Sequence, residues 1–236
     1  MSWYSNTALI HAGIGTVALS TFWIAGMSKK GSPVHKLAGR IYLLAMTGII
    51  MSAVPMAISM LLNKKYASGA FFLYLVVITA TSVWCSWRAI RDKRDWAKYT
   101  GGVYKSFMLL NIVSAVSIVL VALLLPNNMQ IILMAFSSIG IIGGVSMFRF
   151  SRTSPQDPRW WMHEHLSAMI GNGVATHIAF LSIGLPKLLP MLSGPVLQNM
   201  AWLGPLTLSI FAGIYLKRQY IQKSLYEISF ICDRAP

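Results

Sequence analysis

Acidic residues are scarce in this chain of 236 residues: six Asp and Glu stand against twenty Lys and Arg, and Glu164 is the one acid within a long apolar run. Chemistry that needs two carboxylates facing each other inside such runs has no material here. Cysteine is nearly absent as well, with only Cys85 and Cys232. Their spacing fits no thiolate metal motif, and both fall on the side read below as reducing, which argues against a disulfide. There is no HExxH motif, no serine–aspartate set that would support hydrolysis, and no low-complexity segment. The first apolar run has no basic region before it and no small-residue cleavage site after it, so it reads as a retained helix rather than a removable signal. Charged residues make up 11% of the chain and hydrophobic ones 56%, which leaves no stretch for a soluble domain.

What is present is a series of apolar runs, each close to the length that crosses a hydrocarbon core of about 30 Å. Seven are predicted, at about 6–27, 38–62, 68–88, 106–125, 129–148, 162–185 and 199–216. The expected fold is all-α: one polytopic domain over residues 1–236, a bundle of seven transmembrane helices, with 218–236 as an amphipathic inner tail. Of the twenty basic residues only Lys64, Lys65 and Lys187 fall outside one alternating set of loops, so the positive-inside rule predicts an N-out, C-in orientation. Membrane orientation accounts for the net charge of +14 and removes the case for nucleic-acid binding. The expected partner is the lipid membrane, with the basic run between Arg88 and Lys98 a solvated loop that an anionic lipid could use.

Titratable residues concentrate in one run, DPRWWMHEHLSAMIGNGVATHIAF, from Asp157 to Phe180. Asp157 is expected to cap this helix, with Pro158 at its first position and Trp160 and Trp161 at the headgroup level. His163, Glu164 and His165 follow, then Asn172, Thr176 and His177, and polar groups this dense are expected to face protein, water or a ligand. The face of His165 also carries Met169, Asn172, Thr176 and Phe180, a stripe suited to the bundle interior. His11 lies in the first run beside Gly13 and Gly15, small residues that would admit a neighbouring helix or a flat ligand. His35 follows a Ser32–Pro33 helix start. Pro55 is expected to kink the second run, and the glycines of IGIIGG in the fifth to pack closely.

Depth sorts the histidines into two levels. His35, His163 and His165 fall at the inner side, His11 and His177 in the outer half; His163 and His177 are about 21 Å apart along a helix and about 40° apart around it. A transmembrane haem takes an axial imidazole on each face, commonly from two helices. The inner pair would be His35 with His165 or His163, and the outer pair His11 with His177. One or two haem b groups serving membrane electron transfer is the expected function, with a quinone or a redox protein as candidate electron partner and a second copy of the chain as a candidate neighbour. Other uses of the same residues stay open. They could form interhelical hydrogen bonds in a non-redox binding or assembly protein, line the polar path of a proton-coupled carrier, or hold a metal ion with His35 or His177 beside the HEH triplet. Adjacent helical positions splay by about 100°, which already keeps His163, Glu164 and His165 from sharing one ion.

Three segments resemble a bacterial family of predicted membrane proteins, the domain of unknown function 2306. They are HAGIGTVAL at His11, KKGSPVHKLAGRIYLLAM from Lys29 to Met46 and HLSAMIGNGVATHIAF from His165 to Phe180. The resemblance implies that His11, His35 and His165 act as a set, and it implies a bacterial cytoplasmic membrane. It supplies no activity, and His163 and His177 are not among its matched positions.

Overall fold

The computed structural model describes residues 3–125, 129–191 and 194–219, and among them every regular element is helical. The long helices are α1 (Trp3–Met27), α2 (Pro33–Leu62), α3 (Tyr66–Arg91), α5 (Gly102–Leu124), α6 (Gln130–Arg152), α7 (Trp160–Ala179) and α9 (Pro195–Lys217). Short helices α4 (Trp96–Tyr99) and α8 (Leu185–Leu188) lie between them, and a π-helical turn, Phe180–Gly184, joins α7 to α8. Seven segments are long and apolar enough to cross a membrane, so the chain is a multi-pass membrane protein as expected. Large aliphatic side chains such as Leu44, Leu62 and Ile142 point outward, as a lipid solvent allows.

Local chemistry sets the helix ends. Ser32 accepts from the His35 backbone N–H at 3.2 Å and Pro33 occupies the first turn, so α2 starts where its sequence says it should. The chain gets from α1 to that cap through Gly31 at φ +80°, a left-handed conformation that costs glycine little. At α7 the expectation needs correction. Asp157 Oδ1 accepts from the Arg159 N–H at 2.8 Å, forming a turn before the helix, so the helix begins at Trp160 and Pro158 lies outside it. Pro55 does not end α2, which continues to Leu62.

Helices adjacent in sequence pack as antiparallel neighbours, α1 on α2, α2 on α3, α3 on α5 and α5 on α6; α7 then returns to pack on α3 and reach α1, and α9 leans on α7. This makes α3 and α7 the central pair. Tight helix contact comes from glycine in α6, where a Cβ at Gly140 would fall 2.8 Å from the Ala115 methyl and one at Gly144 would run into Ile112. Gly143, in the same IGIIGG stretch, has open space beside it. Gly13 and Gly15 likewise have open space beside them, so among the described residues no neighbouring helix closes on them. Residues 220–236, with Cys232 and most of the expected tail, lie outside the described residues.

The packed interior has three parts. Phe71, Tyr74, Phe136 and Trp202 anchor one where α3, α6 and α9 meet. Tyr99, Tyr104, Cys85 and Trp160 form a second near the basic loops. Ala18, Tyr42 and Met46 join α1 and α2 to Met169 and Ala175 of α7 in the third.

Candidate functional site

The three consecutive residues His163, Glu164 and His165 point at three different elements. His163 Nε2 lies 3.2 Å from Asp157 Oδ2 at the surface. Glu164 accepts from the Tyr99 hydroxyl of α4 at 3.0 Å, with Lys217 of α9 in electrostatic range. Burial, with the nearby Cys85 and Glu164 adding to it, holds the Tyr99 phenol well above its ordinary range. His165 turns to α3, where its Nδ1 lies 2.9 Å from the Ser86 carbonyl oxygen. The splay expected of adjacent helical positions is therefore realised, and no single ion meets all three.

The inner pair sits at the basic end of the bundle. His35 Nδ1 lies 2.9 Å from the Ala25 carbonyl of α1. Ala25 is in the last turn of α1, where carbonyls lack an intrahelical partner and are free to accept. Lys30 Nζ reaches the same carbonyl at 3.2 Å, and burial lowers the pKa of this lysine. His165 lies within electrostatic range of His35 and Lys30.

The bonds at Nδ1 settle the tautomers. A carbonyl oxygen only accepts, so Nδ1 of His35 and of His165 must carry the proton. Neutral imidazole then has its lone pair on Nε2, the nitrogen that binds a metal. His177 follows the same rule through the Gly173 carbonyl of its own helix, at 2.7 Å. For His11 the partner is Ser52 Oγ at 2.8 Å, a hydroxyl that also lies 2.9 Å from the Gly48 carbonyl and 3.0 Å from the Ile49 carbonyl, so either member of the His11–Ser52 pair can donate. An Nδ1–H held by a carbonyl is the usual outer support of a metal-bound histidine, fixing ring direction and raising basicity.

The outer pair is not brought together. The His177 ring packs edge-on against Phe22 and Trp23 of α1, with centroids at 5.4 and 5.5 Å. Phe22 lies eleven residues beyond His11, about 16 Å along that helix, whereas a metal–imidazole bond is about 2 Å. His11 instead ties α1 to α2 through Ser52. His177 Nε2 is buried and has no hydrogen-bond partner among the described residues.

Behind the inner pair runs a buried polar ladder. Asn172 Nδ2 donates to Ser86 Oγ at 3.1 Å, Thr176 Oγ1 to the Asn172 carbonyl at 2.9 Å, and the Tyr42 hydroxyl meets Thr176 Oγ1 at 2.9 Å. Asn172 and Thr176 are buried as the stripe predicted, but Phe180 is 39% exposed. The π turn begins at Phe180, and Pro186 has no N–H to close an α-helical bond back to Ser182, so the register of the face slips there.

Ser86, Tyr99 and the Ala25 carbonyl are the partners of the candidate residues that sequence reasoning did not find. Two of them act on the histidines through backbone oxygens, which every residue has, so no side-chain pattern marks them. Tyr99 had one readable signal: Asp95 caps its short helix by accepting from the Lys98 N–H at 2.8 Å.

Among the described residues no three His, Cys, Asp or Glu side chains are grouped to hold an ion. A group that brings most of its own ligands would ask less of the protein, and the Nε2 atoms of His35 and His165, whose Nδ1 atoms are engaged by carbonyls, are the candidate donors for it. Comparison with protein-family models, curated proteins and solved structures finds no match to this chain.

Proposed function

We propose that this protein is a b-type cytochrome of the bacterial cytoplasmic membrane, oriented N-out and C-in, in which His35 and His165 are the axial pair of a single haem b. The observation that carries the reading is the shared tautomer: both Nδ1 protons are given to backbone carbonyls of other helices, leaving both Nε2 lone pairs for a metal. The resemblance of the His11, His35 and His165 segments to the domain of unknown function 2306 family adds that two of its three matched histidines form this pair. A haem, when bound, supplies a reversible one-electron couple.

The rest is done by the chain. The Ala25 carbonyl orients His35 and the Ser86 carbonyl orients His165, so the rings need little reorganisation to bind. Lys30 places a cation on the carbonyl that holds His35 and within electrostatic range of His165, suited to an anionic edge of a bound group. The surrounding apolar helices exclude water, which in haem proteins is one determinant of potential. A quinone or a redox protein remains the proposed electron partner.

The test is a visible spectrum of the detergent-purified protein, air-oxidised and then dithionite-reduced, with haem counted per chain. Sharp reduced α and β bands at one haem per chain are expected. A colourless protein from cells with ample haem overturns the proposal. A stoichiometry of two would restore a second site at His11 or His177 and overturn the single-haem form.

A further inference from the structure

The two proposed ligands are anchored unequally. His35 uses a carbonyl at the free end of α1, which has no competing helical bond and, among the described residues, is shared only with the Lys30 ammonium. His165 uses Ser86, five residues before the end of α3, where the carbonyl oxygen also lies within reach of its own helical ladder. A shared acceptor holds a ring firmly only if its position is fixed. At Ser86 two further bonds fix it: the hydroxyl donates to the Ser82 carbonyl at 2.7 Å, and it accepts from Asn172 Nδ2 at 3.1 Å. Asn172 lies on α7, the helix of His165, seven residues on, so it and His165 grip one residue of α3 from two levels of the same face.

Asn172 is fully buried, and so is Ser86. The Asn172 amide uses its Nδ2 for Ser86, while its Oδ1 is buried with no partner among the described residues. A residue serving only stability would be a poor choice here, because an unpaired buried acceptor is destabilising. The amide orientation is consistent with the network: the Ser86 proton already goes to Ser82, so the atom facing Ser86 Oγ must be the NH₂.

Resting on the haem reading of His165, we infer that Asn172 is a positioning residue for this ligand, acting through Ser86 to hold the carbonyl that receives the His165 Nδ1 proton. Asn172 touches neither the proposed metal nor the His165 ring through any bond described here. Loss of an outer partner of this type typically costs 10–100-fold in affinity for the bound group.

The experiment compares Asn172→Ala, Ser86→Ala, the double variant and Thr176→Val, each purified with haem and offered an excess of apomyoglobin as haem acceptor. Asn172→Ala and Ser86→Ala are expected to lose haem about tenfold faster than wild type, and the double variant no faster than either alone. Thr176→Val, which removes the hydroxyl lying between Tyr42 and the Asn172 backbone carbonyl but leaves the Asn172 side chain and Ser86 in place, should keep the wild-type rate. A second readout needs no haem: in the histidine-labelled apoprotein, nitrogen NMR should show the slowly exchanging His165 Nδ1–H weakened by Asn172→Ala and Ser86→Ala only. Wild-type haem loss and an unchanged Nδ1–H signal in both variants overturn the inference, as does an additive double variant. Should Asn172→Ala not fold, Ser86→Ala with its smaller change decides. A wild-type protein without haem sinks the parent reading instead, and the apoprotein signal then judges the positioning role by itself.

Discussion

His165 and His177 sit twelve residues apart on one helix, carry the same tautomer, and are held in opposite ways. His165 gives its proton to a carbonyl of α3, seventy-nine positions away in sequence, whereas His177 gives its proton to Gly173, one turn back on α7. The cross-helix bond turns the His165 ring into the α3–α7 seam. The local bond leaves the direction of His177 to its neighbours, and it ends edge-on against Phe22 and Trp23 with its lone pair buried. Histidine type and helix are alike in the two cases; the partner helix decides which ring becomes a ligand candidate.

The largest test breaks this contrast outright. His165→Ala is expected to abolish the low-spin haem spectrum while the protein still elutes as a folded species in detergent, and His177→Ala is expected to keep it. Equal loss in both variants, measured as haem per chain, would mean the anchoring difference is irrelevant to binding.

A second test acts on the cage of His177. A Cβ at Gly173 would fall 2.5 Å from the Phe22 ring, so Gly173→Val should destabilise by about 1–3 kcal/mol through overpacking. Gly13→Val has open space and should change the melting temperature little. Thermal melts of the two variants in one detergent check the difference.

Removing the hydroxyl in Tyr42→Phe is expected to cost about 1 kcal/mol, since Thr176 keeps the Asn172 carbonyl as acceptor and is not left unpaired. The haem spectrum should stay as it is, which separates the far end of the ladder from the part that holds His165.

The smallest effect concerns Lys30, which shares the Ala25 carbonyl with His35. Its folded-state pKa is lowered from the ordinary 10.5, so between the lowered value and 10.5 the unfolded chain binds more protons than the native one. Stability from this group therefore rises with pH across that window. Lys30→Gln should flatten the rise in a series of melts at increasing alkaline pH, and an unchanged slope would show that burial at this position carries no proton linkage.

The membrane fold was readable from the chain alone because a hydrocarbon core imposes its length directly on apolar runs, and each predicted span reappears as a helix shifted by a few residues. Ser32 with Pro33 marked the start of α2 because capping is a local bond. Asp157 misled by being equally content in a turn before the helix. The buried face of α7 was visible from helical periodicity as far as Thr176, and failed at Phe180 where proline chemistry downstream changed the register.

By itself the sequence determined seven apolar helices, a basic end, and which residue types could carry chemistry. Only the tertiary structure decided which carbonyls hold His35 and His165, that His11 pairs with Ser52 rather than with His177, and that Glu164 turns to Tyr99. The physical reason is that span length and charge bias are set along the chain, one segment at a time. A ring's direction is set by an acceptor on another helix, and the acceptors here are backbone carbonyls whose positions exist only once α1, α3 and α7 have packed.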